Sequence, residues 1–263
     1  MTKFFIGFLI LINLANAAAI ESEIISLKDD IATIKVSNIQ VGISGIVVRN
    51  FTEDHSSIIA YTTVVSYDKA AQEAKIKLKK YNGLVHNALP KGLWDPKVGD
   101  TVLLAYSYKR ALLIAPNESS YYNVIQRIPS LSWSSPDLFA TFLSNRKALK
   151  PTKKWFRNYC THTAVGLLYV NVADELFTMD CQSMVLLQNM PMDTKKETPE
   201  LFPFFTNVTD PDKGFFGGIF NSVDTDAEYA KKDTYSPYYL GMINKFNKEN
   251  PIYTAYKKKN AKD

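Results

Sequence analysis

Asp54-His55-Ser56 sets the three residue types of an acid, a base and a nucleophile side by side. Adjacency works against that chemistry, because neighbouring side chains on an extended chain point apart and a working base must come from another segment. The triplet is read as a polar turn ahead of a strand. Cys160 and His162 are of the types used in a thiol and base pair. With Cys181 as the second of two cysteines, a disulfide in an oxidising compartment is the stronger reading. A metal set of Cys160, Cys181, His162 and His86 lacks the C-x-x-C or H-x-x-x-H spacing that preorganises ligands. The sequence has no G-x-G-x-x-G, P-loop or G-x-S-x-G motif. No catalytic residue, metal or cofactor is therefore expected.

Two patterns suit binding instead. Lys213-Gly214-Phe215-Phe216-Gly217-Gly218-Ile219-Phe220 follows Leu201-Phe202-Pro203-Phe204-Phe205, and an exposed aromatic patch of this kind would mark an interface. Packing of these rings onto the rest of the protein is the simpler expectation. The second pattern is basic: Lys257, Lys258, Lys259 and Lys262 fall within Tyr256 to Asp263. On charge alone this is a solvated segment.

The elements that must carry these groups are β-rich at first. Residues 31–117 show period-2 patterning with turn signals at short spacing, which predicts an antiparallel sheet or small barrel. Ile76 and Leu78 alternate with Lys75, Lys77 and Lys79, so one face is buried and the other solvated. Ser57 to Tyr67 and this run would pair as a hairpin across Asp68 to Glu73. Pro96-Lys97-Val98-Gly99-Asp100 predicts a turn feeding Thr101 to Tyr106, and Ala111 to Ala115 follows before Pro116-Asn117 ends the sheet region.

A helix is predicted from Ser135, a favourable N-cap, with Pro136 at the first helical position and Asp137 at the positive end of the dipole. Leu138, Phe139, Phe142 and Leu143 share one face, and Pro151 stops the run. Trp155, Phe156, Tyr159 and Cys160 repeat the spacing while Lys153, Lys154 and Arg157 point away. Leu167 to Val170 and Leu176 to Met179 then read as a hairpin flanked by Cys160 and Cys181. A disulfide across it would contribute about 3 kcal/mol in the chain-entropy model. Residues 191–263 are an aromatic and Lys-rich tail, expected to wrap the domain or to stay partly mobile.

Residues 1–17 read as a secretory signal peptide, with Lys3 in the n-region, Phe4 to Leu14 as the apolar core and Ala15-Asn16-Ala17 as a small-x-small cleavage site. Asn13, Asn16 and Glu21 interrupt the run before it reaches the roughly 20 apolar residues of a membrane span. No later stretch is long enough. The expectation is export to the periplasm or outer cell surface, with no transmembrane segment after cleavage. The whole chain has 31 basic and 26 acidic side chains, a formal charge of +5, which loss of Lys3 lowers to +4. So mild and mixed a charge argues against nucleic acid as a partner.

Four stretches carry a resemblance: Val41-Gly42-Ile43-Ser44-Gly45-Ile46-Val47-Val48, Ala88-Leu89-Pro90, Pro96-Lys97-Val98-Gly99-Asp100 and Leu112-Leu113-Ile114-Ala115-Pro116-Asn117. Over roughly residues 31–190 the chain resembles the N-terminal domain of the plasminogen-binding surface proteins of Gram-negative bacteria. The resemblance implies an envelope or surface location and capture of host plasminogen through lysine recognition. Kringle modules hold lysine-like ligands by pairing an ammonium with an anionic site and a carboxylate with a cationic one. Lys262 beside the Asp263 carboxylates would present such a zwitterion, with Lys257, Lys258 and Lys259 as further candidates.

The expectation is thus an exported α+β protein: a signal peptide at 1–17, a binding domain at 18–190 (β-rich over 31–117, helical and hairpin over 131–190) and a tail at 191–263. The expected role is non-enzymatic envelope or surface binding, with host plasminogen as the candidate partner; the alternative is a periplasmic structural or assembly factor with no plasminogen role.

Overall fold

A computed structural model describes residues 19–82, 94–148, 150–194, 199–208 and 234–260. Residues 1–17, His86, Ala88-Leu89-Pro90, the aromatic run 213–220, Lys262 and Asp263 lie outside them. Six strands close into a barrel: β1 (Ile20–Lys28), β2 (Ile31–Lys35), β3 (Ser44–Asn50), β4 (Ser56–Asp68), β5 (Glu73–Lys80) and β6 (Thr101–Leu104), in the order β1-β2-β5-β4-β3-β6. All six pairings are antiparallel. Closure removes the exposed edge that an open sheet would leave.

The alternation in β5 sets its two faces as expected. Ala74, Ile76 and Leu78 fill the interior, and Lys75, Lys77 and Lys79 stand outside. The β4–β5 hairpin pairs Tyr61 with Lys79 and Thr63 with Lys77, so these four side chains share one outer face. Gly45 lets β3 lie tight against β6, since a Cβ there would fall 2.3 Å from the Leu103 carbonyl oxygen. Asp100, in the turn before β6, accepts from Arg49 Nε and one terminal nitrogen, each at 2.8 Å, and from Lys97 N at 2.7 Å. This ion pair ties β3 to the Gly99-Asp100 turn.

The barrel begins earlier than the expected β-rich boundary at residue 31, because β1 supplies its first strand. The strand at Ala111 to Ala115 also differs in placement. As β7 (Arg110–Ile114) it leaves the barrel and enters a second sheet, parallel to β8 (Ser132–Ser134) and to β9 (Leu167–Val172). The chain crosses from β7 to β8 through helix α1 (Glu118–Arg127), capped by the Asn117 side chain accepting from Ser120 N. Helices α2 (Pro136–Ser144) and α3 (Lys153–Thr163) then lead into β9. The antiparallel strands β10 (Glu175–Asp180) and β11 (Leu186–Pro191) complete the order β11-β10-β9-β7-β8.

The inner strands of this second sheet are buried on both faces, which is why β9 and β10 have no exposed position except at their turn. Ala111, Leu113, Leu167 and Tyr169 pack into the barrel's core. Leu112, Ile114, Leu168, Val170 and Phe177 point the other way, onto Phe139, Phe156 and Tyr159 of the helical layer. The expected N-cap forms, with Ser135 Oγ accepting from Asp137 N and Pro136 in the first turn. Helices α4 (Tyr235–Asn247) and α5 (Pro251–Asn260) close the same layer through Tyr235, Tyr239, Ile243 and Tyr253. Buried Asn247 fastens α4 to β11, accepting from Leu186 N at 2.7 Å and donating to Met184 O at 3.1 Å. Phe204 and Phe205 are buried as well.

Candidate functional site

Where the barrel meets the second sheet, one carboxylate organises the junction. Asp180, fully buried at the end of β10, accepts from Ser44 N and Oγ at 3.0 and 2.6 Å and from Tyr108 Oη at 2.8 Å. Its other oxygen accepts from Gln182 N and Ser183 N at 2.9 and 2.7 Å. Five donors replace the lost hydration of this charge. Burial, and then the adjacent Asp180 charge, push the Tyr108 phenol well above its ordinary range, so it stays a donor.

Above Ser44 and Gly45 opens a cleft of about 400 Å³. Its floor is the outer face of β4 and β5, including Tyr61, Thr63, Lys77 and Lys79. Its wall is one face of α3: Lys153, Lys154, Arg157, Asn158, Thr161 and His162 recur at helical spacing. A hollow of about 120 Å³ continues from it, lined by Tyr61, Tyr81 and Tyr106. The Tyr61 and Tyr81 rings lie 5.0 Å apart, and burial, followed by the nearby Tyr81 hydroxyl, pushes the Tyr61 phenol up to about 12. Tyr106 is half exposed.

The lysines singled out by sequence occupy a different surface. Lys257, Lys258 and Lys259 form the exposed last turn of α5. That placement suits cations, which the helix dipole favours at a C-terminus. Lys259 Nζ reaches Glu175 Oε1 at 3.0 Å, and Lys257 Nζ lies 5.8 Å from the centre of the Tyr253 ring. Lys262 is outside the described residues.

Cys160 of α3 and Cys181, just past β10, form the expected disulfide. Neither sulfur is a thiol, so a Cys160 nucleophile or a thiolate metal site does not arise. Asp54 to Ser56 close the β3–β4 turn, where His55 Nδ1 bonds Thr52 Oγ1 at 3.0 Å. Among the described residues no group of His, Cys, Asp or Glu is arranged to hold a metal ion, and no helix is long and apolar enough to cross a membrane.

By sequence pattern the β5 lysines and the α3 cations belong to two separate solvated faces; the fold turns them onto one cleft. A signal was present in the chain. Residues 138–173 contain no Asp or Glu, yet include Arg146, Lys147, Lys150, Lys153, Lys154 and Arg157. Only the packing of α3 against the barrel tells where that charge goes.

Comparison with known proteins agrees with the resemblance. The family described as plasminogen-binding protein pgbA N-terminal matches residues 19–243. Plasminogen-binding protein PgbA of Helicobacter pylori strain J99 is 25% identical over 252 residues, 93% of this chain and 53% of the relative. The protein of the same name from strain 26695 gives the same identity and coverage. The chain therefore spans about half the length of the curated relatives it matches. No solved structure matches. On the match across residues 19–243, the chain belongs to the plasminogen-binding protein pgbA N-terminal family.

Proposed function

We propose that this chain is an exported, non-enzymatic binding protein of the bacterial envelope or outer surface that captures host plasminogen through lysine side chains. The observation that carries this reading is the family match over residues 19–243. The exposed last turn of α5 supports it chemically. Lys257 and Lys258 present ammonium groups without a carboxylate partner among the described residues, the charge that a kringle's anionic site would pair. Lys259 is partly engaged by Glu175 and contributes less, while Lys262 extends the same basic segment. Residues 1–17 direct export and are removed. The binding domain spans 18–190, and residues 191–263 add the lysine-bearing segment.

The test is binding of the purified chain and its Lys257→Ala/Lys258→Ala variant to immobilised plasminogen. The double variant is expected to lose most of the binding while keeping the parent's thermal midpoint. Undiminished binding would remove these lysines from the reading. Labelling of intact cells with an impermeant reagent separates surface from periplasm, since a receptor for a host protein must be reached.

A further inference from the structure

The cleft between the barrel and α3 is a second, separate feature. Its described lining holds Lys77, Lys79, Lys153, Lys154, Arg157 and His162, and no Asp or Glu. Two acids beside it are already paired: Asp30 with Lys77 at 3.3 Å, and Asp180, fully buried beneath Ser44 with five donors around it. Lys79, Lys154 and Arg157 have no carboxylate partner among the described residues.

The α3 contribution runs against helix electrostatics. A helix N-terminus favours acids, by about 0.3–1 kcal/mol each at exposed sites. The first turn of α3 has none, its N-cap Thr152 makes no side-chain capping bond, and Lys153 and Lys154 stand there instead. Burial, and then the neighbouring Arg157 charge, hold the Lys153 ammonium below its ordinary pKa. Lys153 is nonetheless kept in place by Ser183 O at 3.0 Å and by the Phe246 ring at 4.5 Å. An arrangement that crowds cations at a positive helix end is relieved by an anion in the cleft.

The rest of the lining narrows the anion. Thr63, Asn82 and Asn158 offer hydroxyl and amide groups, which pair with neutral hydroxyls. The adjoining tyrosines, with Tyr106 half exposed, provide amphipathic rings against which the C–H face of a sugar can pack. The cleft's volume falls among those of small-ligand pockets, of the order of 300–1,000 Å³. We propose that this cleft binds a short acidic oligosaccharide, its anionic groups held by Lys79, Lys154 and Arg157 and one sugar ring set against Tyr106.

Isothermal titration of the purified chain with a sulfated tetrasaccharide tests this. One saturable step is expected, weakening as ionic strength rises. The uncharged tetrasaccharide and inorganic sulfate should each bind at least about tenfold more weakly. Lys79→Glu/Arg157→Glu should lose at least about tenfold, with near-ultraviolet circular dichroism unchanged to certify folding. Tyr106→Ala should weaken the saccharide and leave any inorganic sulfate binding as it was. Lys257→Ala/Lys258→Ala should change nothing here, which keeps the result independent of plasminogen capture. Absence of saturable binding would overturn the proposal, as would indifference to the charge reversals or tighter binding of a short oligonucleotide.

Discussion

Lys259 Nζ lies 3.0 Å from Glu175 Oε1, joining the last turn of α5 to the first residue of β10. Glu175 is buried, and its other oxygen accepts from Asn189 Nδ2 at 3.3 Å. The lysine that looks most like part of an exposed basic run therefore also satisfies an otherwise poorly compensated carboxylate. Lys259→Ala is expected to destabilise the protein by about 1–2 kcal/mol, read from the urea midpoint. It should reduce plasminogen binding less than Lys257→Ala/Lys258→Ala does.

Asp180 joins the barrel to the second sheet, so its loss should be felt by both. Asp180→Ala strands the Ser44, Tyr108, Gln182 and Ser183 donors, at about 1–3 kcal/mol for a buried donor left unpaired, and is expected to cost more than the loss of any one of them. Tyr108→Phe removes one donor of five and should cost about 1–3 kcal/mol. Equilibrium unfolding would order the two, and equal effects would contradict the described network.

Reduction of Cys160–Cys181, which are 21 residues apart, should lower stability by about 3 kcal/mol. Cys160→Ser/Cys181→Ser should unfold at a correspondingly lower denaturant concentration and no longer respond to a reductant.

Asp137 gives the acid response a local origin. Partial burial raises its pKa, but acceptance from Thr206 Oγ1, Asn207 N and Asn207 Nδ2 outweighs this and leaves the carboxyl below its ordinary value. A depressed folded pKa contributes stability that is complete above the unfolded value of about 3.9 and is lost as pH falls through the folded one. Residues 199–208 should thus become more susceptible to an acid-active protease below about pH 4. Asp137→Asn should expose the same segment already at neutral pH, to a protease active there, and flatten the pH dependence.

Some of this was legible from residue order. The Lys75–Lys79 alternation, the Ser135-Pro136-Asp137 helix start and the Cys160–Cys181 pair each carry a local signal, and each forms. Strand β1 carries little, since only Ile24 among its nine residues is buried. Helix α1 carries a short stripe, Tyr121, Val124, Ile125 and Ile128, of which only Val124 is fully buried. Arg110–Ile114 is a short, nearly continuous apolar run, and that pattern fits a strand buried on two faces without naming the sheet that receives it. The cleft was hidden for a related reason. The solvent-facing sides of β5 and α3 each read as solvated, and their convergence depends on packing across more than 70 residues of chain.

Surface plasmon resonance of the purified chain over immobilised plasminogen, with a soluble lysine analogue titrated in, tests the central claim most directly. The reading predicts saturable binding that the analogue abolishes and that falls sharply in Lys257→Ala/Lys258→Ala. Absence of binding, or binding indifferent to the analogue, would contradict lysine-dependent plasminogen capture by this chain.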